Sequence, residues 1–257
     1  MRKSMIVLTV VLLVIPLAPH AEAARLPLLG KSIVIDAGHG GVDPGAVGHG
    51  VTEEELVLQL ALQLQSVLVS AGAEVKLTRD ADNDLSHLIS PQEVPSRKRR
   101  DIMGRVQLVN DWQPDVLLSL HANAISSSRW RGAQVFYQQH SQRSAALAEH
   151  LQASLRQVLQ NTHRQPQAGD YRLLNDSQPL AVLLEVGFIS NPEEAALLAQ
   201  PAYREQLSLA ILQGLLNWWA SGDGAAQGTV NAYANFFPWK GVHAVGVEVV
   251  RKAVFAM

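Results

Sequence analysis

The sequence contains no cysteine, no excess of charge of either sign and no apolar run long enough for a typical bilayer span. The absence of cysteine excludes disulfide bonds, thiol nucleophiles, iron–sulfur clusters and thiolate zinc sites, so any metal must be held by histidine and carboxylate side chains. The 21 basic and 23 acidic residues give a formal charge of −2, which provides no basic surface for nucleic acid. We therefore expect no nucleic-acid partner.

The chain is long and apolar enough to fold around its own core. It has 257 residues, of which 47% are hydrophobic, and it contains nine histidines. A chain of this size can bury a core without disulfide bonds or other cross-links. Histidine is thus the most informative residue type for a metal site, although most histidines in any protein have ordinary structural surroundings.

The first 23 residues have the pattern of a secretory leader. Arg2 and Lys3 precede the apolar stretch Met5–Leu17, and Ala21-Glu22-Ala23 has the small-residue pattern of a cleavage site. The apolar stretch is shorter than the roughly 20 residues that span a bilayer, but an uncleaved leader could tether the protein to the outer face of the membrane. A buried core helix is the alternative. We expect an exported protein that acts outside the cytoplasm.

From Lys31 onward, short β-branched runs alternate with longer amphipathic stretches. This alternation predicts an α/β fold, with a mostly parallel twisted sheet and helices on both faces, in a single domain over residues 31–220. The predicted strands are Ser32–Asp36, Glu74–Thr78, Asp115–Leu120, Gly132–Tyr137 and Leu180–Glu185, and the predicted helices are Glu53–Ser70, Asp101–Asn110, Ser144–Leu159 and Tyr203–Trp219. Residues 221–257 form a C-terminal extension to which the sequence assigns no role.

Three of these strands lead into residues that could bind a metal. The first runs into a glycine-rich loop that contains His39, another is followed by His121, and the last has Glu185 at its end. Because ligands of open α/β sheets bind at the carboxyl ends of strands, these side chains should share one edge of the sheet. Glu185 is the most informative, since a carboxylate after an apolar run is unfavourable unless it is paired or functional.

A further ligand is expected from the three glutamates that begin the first helix. Thr52 and Glu55 have the spacing of a capping box, which would assign Glu55 to helix capping. Glu53 is then the preferred ligand because it is nearest to the His39 loop, and Glu54 is expected to point towards solvent. The alternative is that all three acids only complement the helix dipole.

In these motifs the sequence resembles the zinc-dependent N-acetylmuramoyl-L-alanine amidases of the amidase 3 family. The resemblance covers about Ser32 to Trp219 and depends on five segments in order: residues 33–46, the helix start at Glu53, Thr78-Arg79 with Asp82, residues 119–124 and residues 184–191. It implies that His39, Glu53 and His121 bind Zn²⁺ and that Glu185 is catalytic. Glu54 stands where the family commonly has lysine, which leaves Glu54 open as the alternative ligand.

The resemblance also implies a substrate and a subgroup. The expected reaction is hydrolysis of the amide between the lactyl group of N-acetylmuramic acid and the L-alanine of the peptidoglycan stem peptide. Residues 130–137 and the compact interval from His121 to Glu185 look most like the spore-cortex amidases, which act in the pathway that forms muramic lactam. Cell-division amidases carry a long helical insertion there that plugs the zinc site, and no such plug is expected here.

Several alternatives remain open. The chain could be a housekeeping cell-wall amidase, a zinc peptidase or deacetylase of cell-wall material, or a catalytically silent peptidoglycan-binding module on the same fold. An accessory protein of unknown identity is a further expected partner. Arg79, Arg105 and Asn123 are candidates for orienting substrate or loops, and His49 for touching substrate, but structural roles are preferred for all four. The basic run Arg97–Arg100, just ahead of a predicted helix, is interpreted as a solvated face, with a binding patch as the less favoured alternative.

Overall fold

A six-stranded sheet lies at the centre of the computed structural model, which describes residues 26–224. Its strands are β1 (Ser32–Ala37), β4 (Glu74–Leu77), β5 (Val116–Asn123), β6 (Gln134–Gln138), β7 (Gln167–Gly169) and β8 (Leu180–Phe188). Two short strands, β2 (Val47–Gly48) and β3 (Val51–Thr52), form a separate ribbon. The order across the main sheet is β4-β1-β5-β8-β6-β7, with β4, β1, β5 and β8 parallel and β6 antiparallel to β8. The predicted mostly parallel sheet is confirmed.

Six helices connect or follow these strands: α1 (Glu53–Ser70), α2 (Arg97–Trp112), α3 (Gln142–Leu159), α4 (Arg172–Asp176), α5 (Pro192–Leu198) and α6 (Pro201–Ala220). Residues Ser86–Leu88 add one short 3₁₀ turn. Apolar residues recur at helical spacing along α1, and Leu56, Leu60 and Leu64 are all buried. The position and length of α1 match the sequence prediction.

The two faces of the sheet have separate cores because side chains alternate along each strand. Ile33 and Ile35 pack with apolar residues of α1, α3 and α6. Val34 faces the other way and packs with residues of α2 and α4. Helices therefore cover both faces of one domain, as the sequence predicted.

The predicted ends of two strands were wrong. β5 continues past Leu120 to Asn123 and β8 continues past Glu185 to Phe188, so His121 and Glu185 lie within strands rather than after them. The reason is that the pairing of β5 with β8 continues through these residues, with an irregularity in register between His121 and Asn123. The two candidate site residues are therefore held by the sheet itself.

The start of α2 was also predicted too late. The helix begins at Arg97 rather than Asp101, because the Ser96 side chain accepts a hydrogen bond from Arg99 N and caps the helix. Residues Arg97–Arg100 thus form its first turn.

The predicted leader, residues 1–23, lies outside the described residues, and so does the predicted C-terminal extension from residue 225 onward. Those two predictions stay as they were made from the sequence.

Across residues 26–224, the structure contains no helix with the length and apolar character needed to cross a membrane.

Candidate metal centre

The loop after β1 carries His39 to the edge of the sheet in a conformation that depends on glycine. His39 itself has a positive φ of 61°, and its neighbour Gly38 lies against the His121 ring, where an added Cβ would collide. Gly45 has φ 65°, and a Cβ there would come within 2.6 Å of the Glu53 carboxylate. The glycines thus allow the backbone to pass close to three polar side chains.

Glu53, the first residue of α1, is anchored to the same loop. Its backbone N donates to Ala46 O at 2.8 Å, and its carboxylate accepts from Ala46 N at 2.8 Å and from Ala122 N at 3.0 Å. The side chain is buried, with the residue 5% exposed. The glycine-rich loop and strand β5 therefore fix the Glu53 carboxylate from two sides.

The expected capping box at the start of α1 was wrong. Thr52 occupies the N-cap position but its side chain makes no capping hydrogen bond, and Glu55 instead accepts from Gln59 Nε2 at 3.1 Å. The reason is that carbonyl groups of the glycine-rich loop satisfy the first amide groups of the helix, with Glu54 N donating to Pro44 O at 3.2 Å. The argument from capping therefore does not support the preference for Glu53, which stays a prediction that depends on its position beside the His39 loop.

Two histidines meet the Glu53 carboxylate at one atom. Glu53 Oε1 lies 3.1 Å from His39 Nε2 and 3.0 Å from His121 Nδ1. One donor atom from each of the three side chains lies within 4.8 Å of the other two. Tetrahedral Zn²⁺ with bonds of about 2.0–2.2 Å places neighbouring ligand atoms about 3.4 Å apart. Two imidazoles and a carboxylate at this spacing fit a zinc ion that keeps its fourth position open, and Glu54 is not part of the cluster.

The charges within this cluster are mutually stabilised. Burial disfavours ionisation of Glu53, but its hydrogen bonds with His121 and His39 hold the pKa of the carboxyl well below its usual range. Burial also disfavours a protonated His39, yet hydrogen bonds with Glu53 and Asp43 raise the pKa of that ring. The carboxylate is thus ionised at neutral pH, which is the form that binds a metal.

Asp43 contacts the His39 ring on the nitrogen that faces away from Glu53, and Lys98 contacts Asp43 in turn. Asp43 Oδ2 lies 3.1 Å from His39 Nδ1 and accepts from Lys98 Nζ at 2.9 Å. Although burial raises the pKa of Asp43, Lys98 and His39 outweigh it and lower that pKa to about 2. A carboxylate on the far nitrogen of a metal-binding histidine is the usual device that fixes its ring orientation and tautomer.

Glu185 lies beside the cluster on the neighbouring strand. It is the register partner of His121 in the parallel β5–β8 pair. Its Oε2 atom is buried and has no hydrogen-bond partner within the described protein. Burial, together with the charge of nearby Glu53, outweighs His121 and raises the pKa of Glu185 to about 7. A buried carboxylate oxygen without a protein partner is suited to a water molecule or substrate.

Two buried arginine side chains, Arg79 and Arg105, connect the glycine-rich loop to the sheet. Arg105 of α2 pairs with Asp36 at 2.7 Å and also donates to the carbonyl groups of Ala37 and His39. Arg79 donates to the carbonyl groups of Ala37, Gly38 and Glu54. The preferred structural role of both arginines is confirmed, because their guanidinium groups hold the backbone around His39.

The other candidates are not part of the cluster. His49 is exposed in the β2–β3 turn, and Asn123 lies at the end of β5 with its carbonyl accepting from Ile189 N. Within residues 26–224, no other group of three histidine or acidic side chains is arranged to hold a metal. The basic run is largely solvated, since Arg97, Lys98 and Arg99 are exposed. It also makes contacts, because Arg97 pairs with Asp84, Lys98 with Asp43, and Arg100 donates to backbone carbonyl groups.

Sequence reasoning assigned no role to Asp43, Lys98 or the buried Glu194. Asp43 carried a usable signal, because an acid four residues from a metal-binding histidine in a glycine-rich loop is well placed to accept from its other nitrogen. Lys98 carried none, since its contact with Asp43 is between residues 55 positions apart.

Comparison with known proteins agrees with this geometry. The sequence model Amidase_3, described as N-acetylmuramoyl-L-alanine amidase, matches residues 33–217. The chain is 40% identical over 195 residues to the germination-specific N-acetylmuramoyl-L-alanine amidase of Bacillus subtilis, covering 75% of this chain and 81% of that protein. It is 35% identical over 192 residues to the probable cell wall amidase LytH of Staphylococcus aureus, covering 74% of this chain but only 58% of LytH.

A solved structure shows the same fold. The CwlD amidase from Clostridioides difficile, determined in complex with the GerS lipoprotein, superposes with a TM-score of 0.69 and 31% sequence identity. The superposition covers 74% of this chain and 99% of that one.

Proposed function

The chain belongs to the N-acetylmuramoyl-L-alanine amidase family, and from that premise we propose that it is a zinc enzyme in which His39, Glu53 and His121 bind the metal and Glu185 is the catalytic base. The observation that carries the proposal is the meeting of His39 Nε2 and His121 Nδ1 at Glu53 Oε1, within 3.1 Å. The Oε2 atom of Glu185, which has no hydrogen-bond partner within the described protein, supports the proposed role of Glu185 as the catalytic base.

The proposed roles of the protein groups follow from their positions. When bound, Zn²⁺ supplies a Lewis acid that polarises the scissile carbonyl and makes a water more acidic. Glu185 accepts the proton of the attacking water and delivers it to the alanine amine as the carbon–nitrogen bond breaks. Asp43 orients the His39 ring, and Arg79 and Arg105 hold the backbone of the loop. The products are the lactyl carboxylate and a stem peptide that begins with L-alanine.

We further propose that the substrate is the peptidoglycan of the spore cortex, in the pathway that forms muramic lactam. The 40% identity to the germination-specific amidase of B. subtilis supports this assignment. The interval between His121 and Glu185 also supports it, because its one long helix, α3, packs Leu147, Leu151 and Leu155 into the core with α6. His121 and Glu185 belong to the face of the sheet that α2 and α4 cover, so α3 does not plug the site. A housekeeping cell-wall amidase is the alternative.

The location and partner follow from the substrate. Peptidoglycan lies outside the cytoplasm, so we propose an exported protein, with the leader of residues 1–23 either cleaved or kept as a membrane tether. The C. difficile relative was solved with the GerS lipoprotein, which supports the proposal of an accessory protein for this chain.

Mass spectrometry of digested muropeptides tests the proposed function. Purified zinc-loaded protein should release free stem peptides that begin with L-alanine. Cleavage within the stem peptide would indicate a peptidase, loss of acetyl groups a deacetylase, and unchanged muropeptides a silent binding module. Comparing cortex with vegetative peptidoglycan then distinguishes the spore-cortex role from the housekeeping one.

A further inference from the structure

Trp130 is the only exposed tryptophan among residues 26–224, with 52% of its surface open. It lies in the loop, residues 124–133, that joins β5 to β6. The mechanism proposed above makes no use of it. A large exposed aromatic ring next to a functional site indicates a contact surface more often than an isolated leucine or valine does.

One face of the Trp130 ring is supported by a stack of side chains. The Arg164 guanidinium lies 5.2 Å from the centre of the Trp130 ring and 4.8 Å from the centre of the Phe188 ring. Arg164 is held in turn, since it donates to Gln134 Oε1 at 3.1 Å and to Arg131 O at 3.2 Å. Arg164 thus connects the Trp130 ring to Phe188 of β8 and Gln134 of β6, through a cation that lies near two aromatic rings.

The loop that carries Trp130 is fastened at three points. Asn191 Nδ2 donates to Ser128 O at 2.8 Å, Ile125 N donates to Ser190 Oγ at 3.3 Å, and Gly132 N donates to both carboxylate oxygens of Glu194 at 2.9 and 3.0 Å. Glu194 is only 1% exposed, and burying a carboxylate is unfavourable unless it is well satisfied. A fastened loop presents the ring in one position, which lowers the entropy lost on binding.

The ring also lies close to the proposed catalytic residue. Gln134, which holds Arg164, is the register partner of Glu185 in the antiparallel β6–β8 pair. Directly opposed residues of such a pair point to the same face, with Cβ atoms about 5 Å apart. Gln134 and Arg164 therefore form a series of neighbouring side chains that leads from Glu185 to Trp130.

We propose that Trp130 is a stacking platform for a sugar ring of the glycan strand, next to the muramic acid whose amide is cut. This inference rests on the proposed function. Pyranose rings present a face of carbon-bound hydrogens that packs on an aromatic ring, and a fixed ring on the rim of the site suits a repeating polymer of sugars. The formal charge of only −2 favours recognition by local contacts of this kind over attraction by net charge. A protein covering the ring would lie beside Glu185, where the substrate has to enter.

Binding to peptide-free glycan strands tests the platform without catalysis. Trp130→Ala, made in a Glu185→Ala background, should bind the strands about tenfold more weakly than Glu185→Ala alone, whereas Trp130→Phe should keep most of the affinity. Val69→Ala is the matched control, because Val69 is 51% exposed but lies in the last turn of α1, about 24 Å along the helix from Glu53. If the double variant bound the strands as tightly as Glu185→Ala alone, the proposal would be overturned, and a protein partner would become the favoured occupant of the Trp130 ring.

Kinetics separate failure of the platform from failure of the proposed function. Against polymeric peptidoglycan, Trp130→Ala should raise KM about tenfold with little change in kcat, but it should leave hydrolysis of a single-sugar muramyl peptide unchanged. Equal losses on both substrates, or a lowered thermal unfolding midpoint, would indicate a structural role and overturn the inference. If the wild-type protein releases no stem peptide at all, the proposed function fails, while the glycan-binding measurement still decides the role of Trp130.

Discussion

Glu185 and His39 lie in the same site, but the roles proposed for them can be separated by experiment. Glu185→Ala should keep zinc and lower turnover by at least about 10²-fold, because it removes the general base. His39→Ala should lose both zinc and activity, because it removes a ligand. Elemental analysis and stem-peptide release measure the two properties, with His163→Ala, an exposed histidine, as the control. Purified Glu185→Ala without zinc would contradict this division.

The environment of Glu185 predicts a pH-dependent stability in the metal-free protein. Its pKa rises from 4.5 to about 7 on folding, so between these values the folded state binds more protons than the unfolded state, and stability falls as pH rises. Glu185→Gln removes this penalty, so at pH 8 the variant should be more stable than wild type by up to about 3 kcal/mol. The difference should disappear near pH 4. Urea unfolding at both pH values measures it, and a difference that does not vary with pH would exclude this origin.

Gly38 offers a test of the metal site that changes no ligand. A Cβ at this position would collide with the His121 ring, so Gly38→Ala should displace His121 and weaken zinc affinity by about 10–100-fold, as loss of a supporting contact does. Gly48→Ala in strand β2 is the control, because its Cβ would meet only Ile189, with Cγ2 at 3.3 Å, and φ there is not positive. Chelator competition measures the zinc affinity of both variants. Equal affinities would show that the loop shifts to accommodate the Cβ at position 38 without displacing His121.

At the scale of elements, α5 holds the end of β8 and the β5–β6 loop together through Glu194. Its carboxylate accepts from Phe188 N at 2.9 Å and from Gly132 N, both buried. Glu194→Ala leaves these amide groups without a partner and should lower the free energy of unfolding by about 2–3 kcal/mol. The adjacent Glu193 has a side chain that is 73% exposed, and Glu193→Ala should change stability by less than about 0.5 kcal/mol. Similar urea midpoints for the two variants would refute the anchoring role.

Periodicity predicted the elements that lie at the centre of the fold and missed those that depend on distant contacts. The five predicted strands and four predicted helices all occur. Most of them bury apolar residues at the spacing that predicted them, whereas α2 buries Asp101, Gly104 and Arg105 beside Val109. β7 and α4 are three and five residues long, too short for a period to show. The reversed direction of β6 could not be read from the sequence either, since an antiparallel strand has the same alternation as a parallel one.

The candidate site was predictable where its chemistry is local. His39, His121 and Glu185 each follow an apolar run, and the parallel order of β1, β5 and β8 brings those runs together at one edge of the sheet. Support for Glu53 over Glu54 comes from the Ala46 and Ala122 amide groups that hold the Glu53 carboxylate, and these contacts depend on the folded loop. The contacts from His39 through Asp43 to Lys98 likewise form only in the folded protein, and sequence reasoning did not predict them.

At the scale of the whole molecule, the last turn of α6 completes the core of the described domain. Trp218 and Trp219 are buried, at 0% and 5% exposure, and Gly224 N donates to Trp218 O at 3.3 Å. The match to the amidase family ends at residue 217. The stability of the domain should therefore depend on the last turn of α6 but not on residues 225–257.

Two truncations with the amino-terminal segment left in place test this expectation. A chain that ends after Gly224 should keep its zinc content, its kcat/KM within about twofold and an unfolding midpoint within about 3 °C of the full chain, which corresponds to less than about 1 kcal/mol. A chain that ends after Asn217 loses both buried tryptophans and should be destabilised by at least about 3 kcal/mol. Thermal unfolding with zinc analysis measures both. Because the two products differ by seven residues, equal loss of stability in both would assign part of the core to the segment after Gly224.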